Sequence, residues 1–160
     1  MIFVLLTALV AMINPLVLAI AGGLWNAEHT LMQRYGITRI YGRKVGQTDG
    51  RGELVMLFSW LMLAFVWVAA DPRTPEKAAA VSLGENNEQA VDVLSSLQPA
   101  ARWLVVPTVM VAASMLLRWT RREFGSARAR SANPAKWLYV GSTATLFLAI
   151  LADPLAGLMG

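Results

Sequence analysis

Residues 54–70 read LVMLFSWLMLAFVWVAA, an apolar run in which no side chain carries a charge. A helix of this length rises about 25 Å at about 1.5 Å per residue, which is close to the hydrocarbon thickness of a bilayer. In a soluble protein, apolar core residues alternate with polar ones at helical or strand spacing, and the run shows no such alternation. The run therefore predicts a helix that crosses a membrane.

Three further apolar stretches accompany this run, at residues 2–25, 103–119 and 137–152. Tryptophan and tyrosine stand near several of their boundaries, as is typical of the headgroup region. The chain is therefore predicted to be an all-α integral membrane protein, a single membrane domain over residues 1–160. About four transmembrane helices would form an antiparallel bundle. Three spans with a re-entrant or surface segment are the main alternative.

The composition agrees with a membrane protein and excludes several kinds of site. Of the 160 residues, 56% are hydrophobic and 15% are charged, whereas soluble domains carry about 25% charged residues. The chain has no cysteine, which excludes disulfides, thiolate metal sites and iron–sulfur clusters. The single histidine, His29, leaves an imidazole metal site short of ligands. No cofactor and no metal is expected.

The connecting segments differ in charge, and the difference predicts an orientation. Basic residues outnumber acidic ones in residues 26–52 and 120–136, and acidic residues outnumber basic ones in residues 71–102. By the positive-inside rule the two basic loops face the cytoplasm, so loop 71–102 and both termini face outward. The expected location is a bacterial inner membrane.

The outer loop is predicted to contain a short amphipathic helix. Thr74-Pro75-Glu76 has the residue types of a helix start, and Asn87 is a suitable cap for a second segment. Pro99 is expected to end that segment. Its apolar face would consist of Ala90, Val91, Leu94 and Leu97.

The basic loops are the most conspicuous polar feature, and they are predicted to contact anionic lipid headgroups or a partner protein. The near-repeat of Tyr35-Gly36 and Tyr41-Gly42 predicts a folded turn region in the first loop. Nucleic acid is disfavoured as a partner, because loop 120–136 offers only Phe124 as an aromatic residue for base stacking. The predicted contact residues are Arg34, Arg39, Arg43, Lys44, Arg121, Arg122, Arg128 and Arg130.

Polar residues within the apolar stretches are the usual pointers to function in membrane proteins. The predicted intramembrane polar residues are Asn14, Ser114, Thr143 and Asp153. Hydrogen bonding between helices is the favoured role for them, ahead of a substrate pathway. Asp153 precedes Pro154 and is expected to mark the end of the last helix.

Catalysis finds little support in the sequence, which has no G-x-S-x-G elbow and no H-E-x-x-H motif. Small multidrug exporters have a similar size and span count, but their first helix carries a glutamate, whereas the first predicted span of this chain has Asn14 and no acidic residue. The resemblance is one of architecture only.

The favoured function is therefore a non-catalytic integral membrane subunit that anchors or scaffolds a larger inner-membrane complex, such as a secretion, conjugation or energy-converting machine. Its partners would be other membrane protein subunits, in a hetero-oligomer. The alternative is a small oligomeric transporter or channel subunit, whose polar residues would converge on a wet cavity. A third hypothesis is an enzyme completed by another chain, with His29 or Asp153 facing the partner's cofactor.

Overall fold

The computed structural model describes residues 15–76, 87–125 and 133–153, and these residues form four long helices without any strand. The prediction of an all-α protein is confirmed. The helices are α1 (Pro15–Lys44), α2 (Arg51–Ala70), α3 (Asn87–Phe124) and α4 (Pro134–Ala152).

Three segments of the described residues are long and apolar enough to cross a membrane, namely Arg51–Ala70, Val91–Phe124 and Pro134–Ala152. They coincide with α2, most of α3 and α4, and they contain three of the four predicted spans. The remaining predicted span, residues 2–25, lies largely outside the described residues, so the count of four stays a prediction.

Helix α1 differs from the prediction, because it continues past residue 25 to Lys44 without interruption. The expected turn region around Tyr35-Gly36 and Tyr41-Gly42 is wrong, since these residues are helical. The segment has no proline, and a helix tolerates isolated glycines at a cost of about 1 kcal/mol each. Loss of hydropathy after Trp25 marked a change in the surface of the helix rather than its end.

A short turn separates α1 from α2 and depends on Gly46. The Gly46 backbone has φ +77°, a left-handed conformation that favours glycine. The amides of Val45 and Gln47 both donate to the Gly42 carbonyl, which satisfies a carbonyl at the end of α1. The loop predicted over residues 26–52 is thereby reduced to residues 45–50.

Helix α3 also differs from the prediction, because the expected helix of the outer loop and the third span are one continuous helix. Its described part runs from Asn87 to Phe124 and passes through Pro99 and Pro107. A proline removes one backbone donor, and membrane helices tolerate this where nearby groups satisfy the freed carbonyl. The carbonyl that Pro107 frees belongs to Trp103, four residues earlier, and the neighbouring Leu104 carbonyl accepts from the Thr108 hydroxyl at 2.7 Å.

The core lies around α2, which packs most extensively against α3 and also contacts α1 and α4. Met56 and Leu57 are almost completely buried there, and Trp60 meets Phe147 of α4 edge-to-face with ring centroids 5.8 Å apart. The remaining buried members of the apolar cluster are Leu31, Leu63, Ala112, Trp119 and Val140.

The end of α2 is held by polar contacts beyond the last apolar turn. Gln98 of α3 donates to the Asp71 carbonyl at 2.9 Å, and the Thr74 hydroxyl donates to the Val68 carbonyl at 2.5 Å. The Arg73 guanidinium donates to the Asp71 carboxylate at 2.9 Å. This hydrogen bond, with the charges of Asp71 and then Asp153, raises the pKa of Arg73. The end of α4 therefore lies near the end of α2.

Asn133 connects the start of α4 to the end of α1. Its Oδ1 accepts from the Ala135 amide at 3.0 Å as the N-cap of α4, and its Nδ2 donates to the Tyr41 carbonyl at 3.2 Å. Pro134 follows as the first helical residue, where its missing N–H costs nothing.

We expect Asn133→Ala to lower the free energy of unfolding by about 1–3 kcal/mol, since it removes a cap and a hydrogen bond between helices. Asn133→Ser is the matched control, because serine still caps the helix but is too short to reach Tyr41. The serine variant should lower the free energy of unfolding by about half as much as the alanine variant. Thermal unfolding in detergent, followed by circular dichroism, measures the difference, and equal losses for both variants would contradict the role given to Nδ2.

Candidate functional site

A group of charged side chains lies buried where one end of α2 meets α3 and α4. Glu53 belongs to the first turn of α2, Glu123 to the last turn of α3 and Lys136 to the first turn of α4. Arg39 of α1 and Gln47 of the following turn join them through hydrogen bonds and ion pairs. We refer to these five residues as the ion cluster.

Lys136 is at the centre of the ion cluster and is 0% exposed. Its ammonium donates to Gln47 Oε1 at 2.6 Å and to Glu123 Oε1 at 2.9 Å, and it forms an ion pair with Glu53 Oε1. An ammonium has three N–H donors, so these three acceptors satisfy it completely. Burial of a charge is costly unless it is paired and hydrogen-bonded, and both conditions are met.

Arg39 supplies the second positive charge and ties the turn to the cluster. Its Nη2 donates to the Thr48 carbonyl at 2.8 Å and to the Gln47 carbonyl at 3.2 Å. Its Nη1 lies 3.7 Å from Glu53 Oε2, a charge contact longer than a hydrogen bond. With two acidic and two basic side chains, the ion cluster is neutral overall.

Gly50 makes room for the Arg39 side chain. A Cβ atom on Gly50 would lie 2.8 Å from the Arg39 Cζ and closer still to Cδ and Nε, so any side chain at this position would displace the arginine. The turn and the buried guanidinium are therefore compatible only because residue 50 is glycine.

Aromatic rings cover the ion cluster on the side of α3 and α4. The Lys136 ammonium lies 5.8 Å from the centroid of the Trp119 ring, within the range of a cation–π interaction. Trp137 stacks edge-to-face on Phe124, with centroids 3.9 Å apart, and its ring centroid is 6.2 Å from that of Trp119. These rings lower the local dielectric and so strengthen the ion pairs.

A small cavity of about 80 Å³ adjoins the ion cluster and is lined by both carboxylates, together with Gln47, Thr48, Asp49, Gly52, Trp119 and Arg122. The volume is sufficient for a few water molecules, and its lining is polar. Glu53 Oε2 has no hydrogen-bond partner in the described protein, so a water molecule in this cavity is a suitable donor to it.

The arrangement is better suited to holding helices together than to chemistry. A general acid or base needs a proton-transfer site directed at a substrate, whereas each charged group here contacts another group of the protein. In residues 15–76, 87–125 and 133–153, no group of three or more histidine, cysteine or acidic side chains is placed to hold a metal ion.

The structure describes six of the eight predicted contact residues, and these are buried, half-buried or exposed. The prediction for Arg39 is corrected, because this residue is only 7% exposed and is not available to a lipid or partner. Arg34 is half-buried. Arg128 and Arg130 lie outside the described residues. The exposed residues are Arg43, Lys44, Arg121 and Arg122, which all lie at the end of the molecule that holds the ion cluster.

Among the described residues, the predicted intramembrane polar residues Ser114, Thr143 and Asp153 do not converge on one site. Thr143 is 1% exposed, and its hydroxyl accepts from Arg34 Nη1 at 3.1 Å while donating to the Tyr139 carbonyl at 3.0 Å. The exposed Ser114 donates to the Val111 carbonyl of its own helix. Asp153 is the C-cap of α4, and Asn14 lies outside the described residues.

Sequence reasoning missed the ion cluster, because it assigned no functional role to Glu53 and counted Lys136 only among the charges of the basic loop 120–136. The predicted topology nevertheless contained a signal for three members of the ion cluster. Glu53, Glu123 and Lys136 each stand next to an apolar stretch, and the predicted orientation places all three at the same side of the membrane. Arg39 offered no comparable signal, since its burial depends on the path of α1.

Comparison with known proteins gives no match among family models, curated proteins or solved structures. The function is therefore argued from the geometry of the chain.

Removing the cation of the ion cluster should be strongly destabilising. Lys136→Met leaves two buried carboxylates without their ammonium, so we expect the free energy of unfolding to fall by about 3–5 kcal/mol. Chemical denaturation in detergent micelles measures this fall in the free energy of unfolding.

A matched double variant isolates the charge effect. Combining Lys136→Met with Glu123→Gln leaves Arg39 and Glu53 as a neutral pair and should recover at least half of the loss. If the single and double variants were equally unstable, packing rather than electrostatics would account for the effect.

Proposed function

We propose that this chain is a non-catalytic integral membrane subunit that anchors or scaffolds a larger complex in a bacterial inner membrane. The observation that carries the proposal is the length of α3. Its 38 residues rise about 57 Å, whereas a bilayer including its headgroups is about 40–45 Å thick. Part of α3 therefore extends beyond any membrane that the bundle crosses.

The contact between Gln98 and Asp71 identifies which part extends. Because Asp71 caps the end of α2, residues 87–97 of α3 continue about 16 Å past that end. Val93 and Leu97 are 45% and 53% exposed on this extension, and they are four residues apart on one helix face. An exposed apolar pair on a projecting helix is suited to a protein partner.

The bundle also presents large apolar surfaces along its spans. The exposed fraction is 84% for Trp103, 65% for Val106 and 67% for Met110, which follow one another along α3. Lipid or the apolar helices of other subunits would cover such a face. Arg39, Glu53, Glu123 and Lys136 are meanwhile gathered in the neutral ion cluster, whereas Arg102 and Arg118 are exposed toward the two ends of the α3 span.

The hydroxyl groups of the spans support a scaffold more than a pathway. Ser59, Ser114, Ser142 and Thr145 each donate to a carbonyl three or four residues earlier in their own helix. A transporter or channel would direct such groups at a shared wet cavity. Transport by an oligomer is therefore the second hypothesis, and no catalytic role is proposed.

We further propose an antiparallel bundle of about four spans, with both termini outside the cell. Exposed basic residues gather at the end of α1 and α3, whereas Glu88 and Asp92 lie on the projecting start of α3. This asymmetry supports an orientation with the ion-cluster end in the cytoplasm. Its exposed arginines and lysine would contact anionic lipid headgroups there.

Cysteines introduced one at a time test this orientation. No native cysteine contributes background labelling, because the chain has none. In intact cells, a membrane-impermeant maleimide should label Pro72→Cys, at the end of α2, and should not label Thr48→Cys. Both residues are exposed. Labelling of Thr48→Cys after the cells are broken is the control, and the reverse pattern would overturn the orientation.

Affinity capture after gentle extraction from native membranes tests the subunit function. Mass spectrometry should find a stoichiometric set of larger membrane partners, and Leu97→Asp should reduce their recovery at least fivefold by placing a charge in the apolar contact. Ser95→Asp is the matched control, since Ser95 is exposed on the opposite side of the same turn.

Recovery of the wild-type chain alone, as a monomer or homo-oligomer, would overturn the subunit hypothesis and favour transport. An equal loss of partners from both aspartate variants would show that the Val93–Leu97 face is not the contact.

A further inference from the structure

We propose that a second copy of this chain packs in parallel against the outer face of α1. The contact would follow a row of residues that we call the outer seam. Its members are Gly22, Asn26, His29, Gln33, Gly36 and Ile40.

The spacing of the outer seam is that of a helix-packing surface. Its members alternate at intervals of four and three residues, the repeat that keeps one row of a helix facing a neighbouring helix. The opposite face of α1 is already used, because Leu31 and Thr38 are buried against the rest of the chain. On the outer seam, Gly36 is half-buried and the other five residues are exposed. Two packing rows thus lie on opposite sides of α1, and only one has a neighbour among the residues that the structure describes.

Contacts between α1 and α4 place the outer seam at membrane depth. Tyr41 of α1 meets Asn133 at the start of α4, and Arg34 meets Thr143 halfway along α4. By helical rise, Gln33 and Asn26 lie about 12 Å and 22 Å from the Tyr41 end, within the roughly 28 Å length of α4.

Polar side chains at this depth need a partner. Exposed amide and imidazole groups are costly in hydrocarbon, so within membranes such groups face other helices or water. Asn26, His29 and Gln33 are therefore expected to be covered by protein.

The glycines of the outer seam point to a helix as that cover. A Cβ atom at Gly22 or Gly36 would meet nothing within 4 Å, so the packing of this chain does not require glycine at either position. Glycines on a membrane helix allow a second helix to approach closely.

The chemistry of the outer seam is complementary to itself. Asparagine, glutamine and neutral histidine each carry a donor and an acceptor, so identical residues on two copies can bind one another. Gln33 Nε2 lies 2.9 Å from His29 Nε2 within one chain, which leaves each side chain a second hydrogen-bonding atom. No charged residue lies on the outer seam between Gly22 and Ile40, so two copies meet without like-charge repulsion. Copies inserted with the same orientation are parallel, which brings each residue opposite itself.

Cysteine cross-linking tests the proposal in native membranes. We expect Asn26→Cys and Ile40→Cys to form a disulfide-linked species of twice the 17.4 kDa chain mass under mild oxidation. Leu24→Cys and Glu28→Cys are the matched controls, being exposed on the same helix but off the seam. Their cross-linking should be at least fivefold lower. Absence of the dimer, equal cross-linking at seam and control positions, or cross-linking to a different polypeptide would overturn the proposal.

A second measurement avoids cysteine. Two differently tagged wild-type chains, co-expressed and extracted gently, should co-purify, and Gly36→Trp should reduce co-purification at least fivefold by blocking close approach. Carbonate-resistant membrane insertion of the variant shows that it has folded into the bilayer. Undiminished co-purification would overturn the seam as the contact. The inference goes beyond the proposed subunit function, since failure to capture larger partners would leave the dimer result unchanged.

Discussion

The ammonium of Lys136 lies between two carboxylates that belong to different helices, Glu53 of α2 and Glu123 of α3. Neither carboxylate could be buried alone, because an isolated buried charge is many kcal/mol less favourable than a solvated one. Their common cation therefore requires the start of α2, the end of α3 and the start of α4 to meet. Gln47 extends the same network to the turn after α1, through its hydrogen bonds to Lys136 and Glu123.

The neutrality of this network explains how a chain with several charges near its spans can enter a membrane. Arg39, Glu53, Glu123 and Lys136 cancel one another within a volume that rings of tryptophan and phenylalanine cover. The outward faces of α3 and α4 are then free to be apolar. Helix α1 is different, since it carries amide and imidazole groups on its outward face, and this contrast is the basis for assigning that face to protein rather than lipid.

Hydropathy was sufficient to locate three apolar helices, because the free energy of transferring an apolar side chain into lipid is a property of each residue. It was not sufficient to locate helix ends. The apolar composition ends at Trp25, yet the helix continues to Lys44. Pro99 lies inside α3 rather than at its boundary. Backbone hydrogen bonds, which no hydropathy scale measures, continue through both points.

The ion cluster was less predictable for a related reason. Glu53, Glu123 and Lys136 could be assigned to one membrane side, but their contacts depend on how the helices pack. Arg39 was interpreted as a surface residue because it lies in the basic segment 26–52. Its burial follows from the tight turn at Gly46 and from the space at Gly50, both of which are tertiary features.

The position of Lys136 along the chain has a consequence for biosynthesis. A ribosome makes Glu53 and Glu123 before the lysine that pairs with them, so both carboxylates first reach the membrane boundary without their main counter-ion. Glu53 then has only Arg39, whose nearer nitrogen is 3.7 Å away in the finished bundle. Insertion of α4 is therefore the step that allows the carboxylates of α2 and α3 to be buried. Chains whose synthesis stops before α4 would expose unpaired acidic groups to membrane quality-control proteases.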